Sequence, residues 1–147
     1  MHLMIFVDTS YGNGKKTERN LRNKGNKMKT ASCKAKGREL QKHTAQKIRE
    51  VFNLPDSDVV SRPMGSPGQD IMLSEISVNK LPLSIECKNT KSFPSLSALD
   101  QAKYNAKPGQ TPVVVWKPPG KGYDKSIVYL NLEDFLKLIK ERQNEVA

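Results

Sequence analysis

The sequence predicts a mixed α/β domain in which a central mixed β-sheet of four to five strands is flanked by α-helices. Three observations carry this. The chain has 147 residues, enough for one domain with a core and too few for two. Apolar residues recur with helical spacing in some segments and strand alternation in others, in the order α-β-β-β-α-β-β-α. The run Val113-Val114-Val115-Trp116 is apolar on both faces, as a strand covered from both sides requires.

Residues 1–35 are read as a basic, flexible extension and residues 36–147 as the folded domain. After the apolar stretch Leu3–Val7, which is too short for a membrane span or a signal core, comes a run of Gly, Asn, Lys and Arg with almost nothing to bury. Met28 opens a more coherent sequence and is the candidate initiator of the native chain. Residues 1–27 are then either an upstream extension or a basic arm. From Gly37 the pattern is helical, with Leu40, Thr44, Ile48, Val51 and Phe52 on one face. Pro55 disfavours a helical Leu54, so this helix stops near Asn53. Asp58–Ser61 is a short strand, and Arg62–Gln69, with two Pro and two Gly, is a loop.

Asp70–Ser74 and Leu81–Lys88 are strands joined by Glu75–Lys80, a segment able to form a helical turn. Ser92–Ser95 turns around Pro94. Ser95 then caps a helix to about Ala106, with Leu96, Leu99 and Ala102 inward. Thr111–Lys117 is the central strand, Pro118–Asp124 a loop and Ser126–Leu130 a further strand. Asn131 caps a last helix with a stripe of Leu132, Phe135, Leu136 and Ile139. Trp116 and Phe135 read as core.

The formal net charge is +10, and from Met1 to Leu40 ten Lys or Arg face only Asp8, Glu18 and Glu39. A polyanion is the first partner to consider, and nucleic acid fits better than membrane because no bulky basic amphipathic helix is visible. Aromatic residues make up 6% and do not cluster along the chain, unlike in sheet-based RNA readers. Cys33 and Cys87 show no ligand spacing with His2 or His43, which argues against zinc. Cys87 falls in a buried strand, as a reduced thiol of a soluble, cytoplasmic protein does.

Along Leu81–Lys88, the residues Leu81, Leu83, Ile85 and Cys87 point to one face and Ser84, Glu86 and Lys88 to the other. Glu86 and Lys88 therefore project together, about 7 Å apart along the strand. Pairing of the two strands would bring Asp70 close to Glu86. Two converging carboxylates, with the main-chain carbonyl of Cys87 between them, make an all-oxygen pocket suited to Mg²⁺ or Mn²⁺. Such a cation holds a phosphate oxygen and acidifies a bound water, while Lys88 orients that water or neutralises the developing charge. The same three residues can also form an ordinary cross-strand ion pair.

Gly65-Ser66-Pro67-Gly68-Gln69-Asp70, followed by Ser84-Ile85-Glu86-Cys87-Lys88-Asn89, resembles the PD-(D/E)XK nuclease superfamily. More narrowly, the chain is similar to phage-encoded Holliday-junction-resolvase-like nucleases. The likeness runs from about Lys36 to Ile139, through Gly37–Gln41, Leu99–Ala102, Pro112–Val115 and Glu133–Leu136, and omits residues 1–35. It implies a restriction-endonuclease-like core, with Asp70 and Glu86 as the metal-binding acids and Lys88 as the catalytic lysine. Gln101 stands where many members place a glutamine that contacts substrate or holds the site. Glu39 matches an additional acidic metal ligand on the first helix, and an ion pair with Arg38 or His43 is its alternative. Gln69 replaces the proline of the motif.

The expected activity is Mg²⁺-dependent hydrolysis of DNA, selective for branched structures, by a homodimer that presents two sites about a two-fold axis. A restriction-like or nicking endonuclease and a non-catalytic nucleic-acid-binding protein are the alternatives. In the latter, Asp70, Glu86 and Lys88 are structural ion pairs.

Overall fold

A computed structural model describes residues 30–146. The expectations for Leu3–Val7 and Met28 lie outside the described residues. The elements are α1 (Thr30–Phe52), β1 (Val59–Ser61), β2 (Ile71–Leu73), α2 (Glu75–Lys80), β3 (Leu83–Lys88), α3 (Leu96–Asn105), β4 (Thr111–Trp116), β5 (Ile127–Tyr129) and α4 (Leu132–Val146). Short 3-10 turns cover Asp56–Asp58 and Tyr123–Lys125.

The strands form two sheets rather than one of four to five. β1 and β2 pair antiparallel, with Val59 opposite Leu73 and Ser61 opposite Ile71. The other sheet has the order β3-β4-β5, with β3 parallel and β5 antiparallel to β4. The hairpin is closed at both ends, by Arg62 N–H on the Asp70 carbonyl at 2.8 Å and Ser74 N–H on the Asp58 carbonyl at 2.9 Å. Asp70 also donates its own N–H to the Ile85 carbonyl of β3, at 3.1 Å. The expected neighbour of Leu81–Lys88 thus spends its ladder on β1 and touches β3 at its first residue.

Parallel β3 and β4 need a crossover, and α3 supplies it. Alternation then sorts the core into two layers. Leu40 and Ala45 of α1 pack with Val59, Ile71, Ile85, Cys87, Val113 and Val115, while Ala98, Leu99 and Ala102 of α3 pack on Val114 and Tyr129. Ser84 belongs to the α3 side, and its buried hydroxyl donates to the Ala102 carbonyl at 2.8 Å. Pro112 is tolerated in the central strand for a specific reason. Thr111 N–H bonds to the Pro82 carbonyl and Lys117 N–H to that of Lys88, so odd-numbered β4 donors serve β3. The Pro112 nitrogen faces the β5 side, where pairing runs only from Val114 to Trp116.

Five local expectations need correction. α1 begins at Thr30 and not Gly37, because its first turns are exposed and carry no apolar periodicity. Val51 is 65% exposed, and the inward face is instead Leu40, Gln41, Thr44, Ala45, Ile48 and Phe52. The stripe of α4 is uncovered: Phe135, Leu136 and Ile139 are 45–56% exposed, and Leu96 of α3 also faces outward. Periodicity marks a face as apolar without saying what covers it. Ser95 precedes α3 as expected, but its hydroxyl lies 2.6 Å from Ser97 Oγ and caps no helix N–H.

Candidate active site

β3 ends at the edge where the two sheets meet, and that edge gathers the polar groups. Glu86 is 2% exposed, yet its carboxylate is held by a single ion pair, from Lys88 Nζ to Oε1 at 2.7 Å. The other oxygen, Oε2, is buried with no hydrogen-bond partner among the described residues. Lys88 Nζ donates a second bond to Gln101 Oε1 of α3, at 3.1 Å. Asp70 arrives from the opposite side, and its Oδ2 accepts the Cys87 N–H at 2.8 Å. The carboxylate thereby stands in for the carbonyl of a strand neighbour and is fixed to the β3 edge.

The N–H and carbonyl of one strand residue point to the same edge, so the Cys87 carbonyl shares the Asp70 side with its N–H. Asp70 and the Cys87 main-chain carbonyl therefore share this edge, and the Asp70 charge is felt by Glu86. Burial pushes the pKa of Asp70 up, against the opposing pull of the Cys87 N–H, the Gln41 amide, Lys88 and Arg62. Glu86 is also pushed up, chiefly by burial, with the Asp70 charge adding and the Lys88 bond opposing. Two acids that resist ionising beside one another are the donors a cation stabilises.

Burial pushes the Cys87 thiol up as well, and its Sγ lies 3.9 Å from Thr44 Oγ1. It is a neutral packing group, and both Cys87 and Cys33 are free thiols. Among the described residues, no group of three or more His, Cys, Asp or Glu converges in a way that could hold a metal. The donor set is two carboxylates and a carbonyl, which fits a hard cation that keeps part of its water and does not suit zinc. The orphaned Glu86 Oε2 is the observation in favour of that fit.

The loop before Asp70 is tightly specified. Gly65 and Gly68 have φ of +86° and +112°, in the region that favours glycine. A Cβ on Gly68 would stand 3.0 Å from the Arg62 guanidinium, whose Nε donates to the Gln69 carbonyl at 2.7 Å. Gln69 is buried, and its Nε2 donates to the Asn105 carbonyl at 2.9 Å and to Gln110 Oε1. Gln110 in turn donates to the Leu83 carbonyl. Through these amides the residue before Asp70 is tied to the end of α3 and the start of β3, a set of bonds no proline could make.

Asp70, Glu86, Lys88 and Gln101 are brought together, and Glu39 is not. Its carboxylate is exposed and ion-paired with Lys42 at 3.5 Å, because the inward turn of Leu40, Gln41 and Ala45 puts position 39 on the outer side of α1. Gln41 occupies the inner position, buried beside Asp70, with its Oε1 unpartnered. A polar residue in step with Ala45, Ile48 and Phe52 was the signal for it in the sequence.

Tyr129 is the other residue sequence reasoning missed. Its hydroxyl is buried without a partner, and burial together with the Glu86 charge pushes its pKa up. Tyr104 is exposed, whereas His43 stacks on Tyr123 at 5.3 Å between ring centroids. No family model matches the chain, and no curated protein or solved structure matches it either.

Proposed function

We propose that the chain is a Mg²⁺-dependent DNA endonuclease of the PD-(D/E)XK type, hydrolysing phosphodiester bonds in branched DNA. The supporting observation is the meeting of Asp70, Glu86 and Lys88 at one sheet edge, with a buried Glu86 oxygen left without a partner. Asp70, Glu86 and the Cys87 carbonyl would hold Mg²⁺, with Mn²⁺ able to substitute. Bound there, the cation supplies Lewis acidity toward a phosphate oxygen and a more acidic water.

The chain's own groups do the rest. An ammonium has three N–H donors, and Glu86 and Gln101 take two of those of Lys88. The third is free to meet the attacking water or a non-bridging phosphate oxygen, and the two bonds already made fix its direction. The attacking water gives up a proton to solvent as its oxygen bonds to phosphorus, and the bond from phosphorus to the 3′ oxygen breaks. That oxygen takes up a proton from solvent, and a 5′-phosphate remains. Gln41 and the Cys87 N–H steady Asp70, so the acid does not rotate as the substrate arrives.

A homodimer belongs to the same reading, since cutting two strands symmetrically needs two sites. The uncovered stripe of α4 next to the β5 edge, where Ile127 and Val128 are exposed, is where the second copy would sit. The alternative reading, a non-catalytic binding protein, draws on Lys88 and Glu86 forming an ordinary ion pair at 2.7 Å.

The decisive experiment is cleavage of labelled linear, flapped and four-way-junction DNA in Mg²⁺, Mn²⁺ or EDTA, comparing wild type with Glu86→Ala. Metal-dependent cleavage lost in the variant is expected. Binding without cleavage of any substrate would transfer the assignment to the binding protein.

A further inference from the structure

Three aromatic residues that are scattered in the sequence, Phe93, Trp116 and Tyr129, meet in space beside this site. Val114 is the strand partner of Glu86, Trp116 that of Lys88, and Tyr129 that of Val114. By alternation Glu86, Lys88, Val114, Trp116 and Tyr129 all stand on the α3 face. The connection after β3 folds Phe93 back onto this face. Its ring lies edge-on to Trp116 at 5.2 Å and tilted against Tyr129 at 4.8 Å, both between centroids.

The support beneath Phe93 is itself fastened. Trp116 Nε1 donates to the Thr90 carbonyl at 3.2 Å, Thr90 Oγ1 to the Ser92 carbonyl at 2.8 Å, and Asn89 Nδ2 to the Lys36 carbonyl at 3.0 Å. Even so, Phe93 remains 54% exposed. A ring backed by two others, with its segment tied down and half its surface in water, has lost its freedom without having found a partner. Lys88 of the site and Lys91 lie five and two residues before it in the chain, so the segment that carries the ring leaves directly from the strand of Glu86 and Lys88.

We propose that Phe93 is a stacking platform for an unpaired base of the DNA strand whose backbone enters the Asp70–Glu86–Lys88 site. The inference rests on the nuclease reading for its orientation. It adds a substrate class, namely DNA with an unstacked nucleotide next to the phosphate that is cut. A fully paired duplex keeps its base faces stacked on one another and offers none to the ring. A flap, junction or gap offers one. Stacking tolerates any base, so the selection is by structure and not by sequence.

The test measures binding in EDTA, where no cleavage complicates it. Two labelled DNAs of one sequence are compared, a flap and a continuous duplex, with wild type, Phe93→Ala, Phe93→Leu and Phe93→Trp. Phe93→Ala is expected to weaken flap binding on the order of tenfold and duplex binding by less than about twofold. Phe93→Trp should bind the flap as wild type does, and Phe93→Leu, which keeps bulk over Trp116 and Tyr129 but has no π face, should behave like Phe93→Ala. Irradiation with 5-iododeoxyuridine at the first unpaired position should place the cross-link on the peptide carrying Phe93.

Equal weakening on both DNAs, wild-type binding by Phe93→Leu, or a cross-link elsewhere would overturn the proposal. Failure of the nuclease reading looks different. In that case wild type cleaves nothing in Mg²⁺, while the flap preference and its loss in Phe93→Ala persist in EDTA.

Discussion

Replacing Asp70 with Asn separates the charge of this residue from its hydrogen bond. The amide oxygen of Asn can still accept the Cys87 N–H that Asp70 Oδ2 takes at 2.8 Å, so the tie between the sheets survives. What disappears is a half-buried negative charge. Its loss weakens that bond from the charged to the neutral class, by roughly 1 kcal/mol, and removes the attraction to Lys88 and Arg62. Against this, the raised pKa of Asp70 says that all of these favourable contacts together fail to offset its burial. Its folded-state value lies above the unfolded one, near 4, so its contribution to stability is present below that pH and lost as pH rises through the folded value.

At neutral pH and in EDTA, Asp70→Asn is therefore expected to be as stable as wild type or more so, with a melting midpoint no lower than that of wild type. The gap should close in acid. Added Mg²⁺ reverses the order, since a ligand at a hundred times its Kd stabilises wild type by about 2.7 kcal/mol and leaves the variant unmoved. Thermal melts followed by circular dichroism, at pH 4 and pH 7 and with Mg²⁺ or EDTA, read all four conditions. A variant less stable than wild type in EDTA at pH 7, or one that Mg²⁺ stabilises equally, would refute the reasoning and leave Asp70 as a structural anchor.

Lys88→Met strips the buried Glu86 Oε1 of its 2.7 Å partner and should lower stability by about 1–3 kcal/mol in EDTA. Adding Glu86→Gln should recover most of that in denaturant melts, because the stranded charge is gone, while cleavage stays lost by orders of magnitude. Gly68→Ala combines a φ of +112° with a Cβ 3.0 Å from the Arg62 guanidinium, and should cost about 1–3 kcal/mol by urea unfolding. Deletion of residues 1–27, which removes six Lys or Arg and two acids, should flatten the dependence of DNA affinity on salt in a fluorescence-anisotropy titration. Cleavage of bound DNA should be unaffected.

The elements with strict periodicity were legible in the sequence. Leu83–Lys88 alternates, Val113–Val115 is apolar on both faces, and the places of Glu86 and Lys88 follow from a period of two. Asp70 was legible from the Gly/Pro loop before it. What stayed hidden depends on contacts between segments. Which strand Ile71–Leu73 pairs with is decided by closure of the hairpin with Val59–Ser61, a tertiary outcome without a local signature.

Glu39 and Gln41 differ only by the rotation of α1, and a two-residue error in its inward face exchanges an outer carboxylate for an inner amide. Phe93, Trp116 and Tyr129 are separated by long stretches of chain, so a composition of 6% aromatics read as dispersed where the fold makes a cluster. The stripe of α4 was correctly seen as apolar, but its cover is not contained in residues 30–146.

Asp70 joins the β1–β2 hairpin through its backbone carbonyl and β3 through its N–H and its carboxylate, so the site exists only where the two sheets meet. The β1–β2 hairpin closes a short loop. Gln69 must reach Asn105, 36 residues away, before the loop carrying Asp70 is fixed. Contacts across such spans form late, because closing the intervening chain comes first. Opened along this seam, the chain would hold its two acids apart, and in the proposed nuclease cutting power would fade on warming as the seam opens.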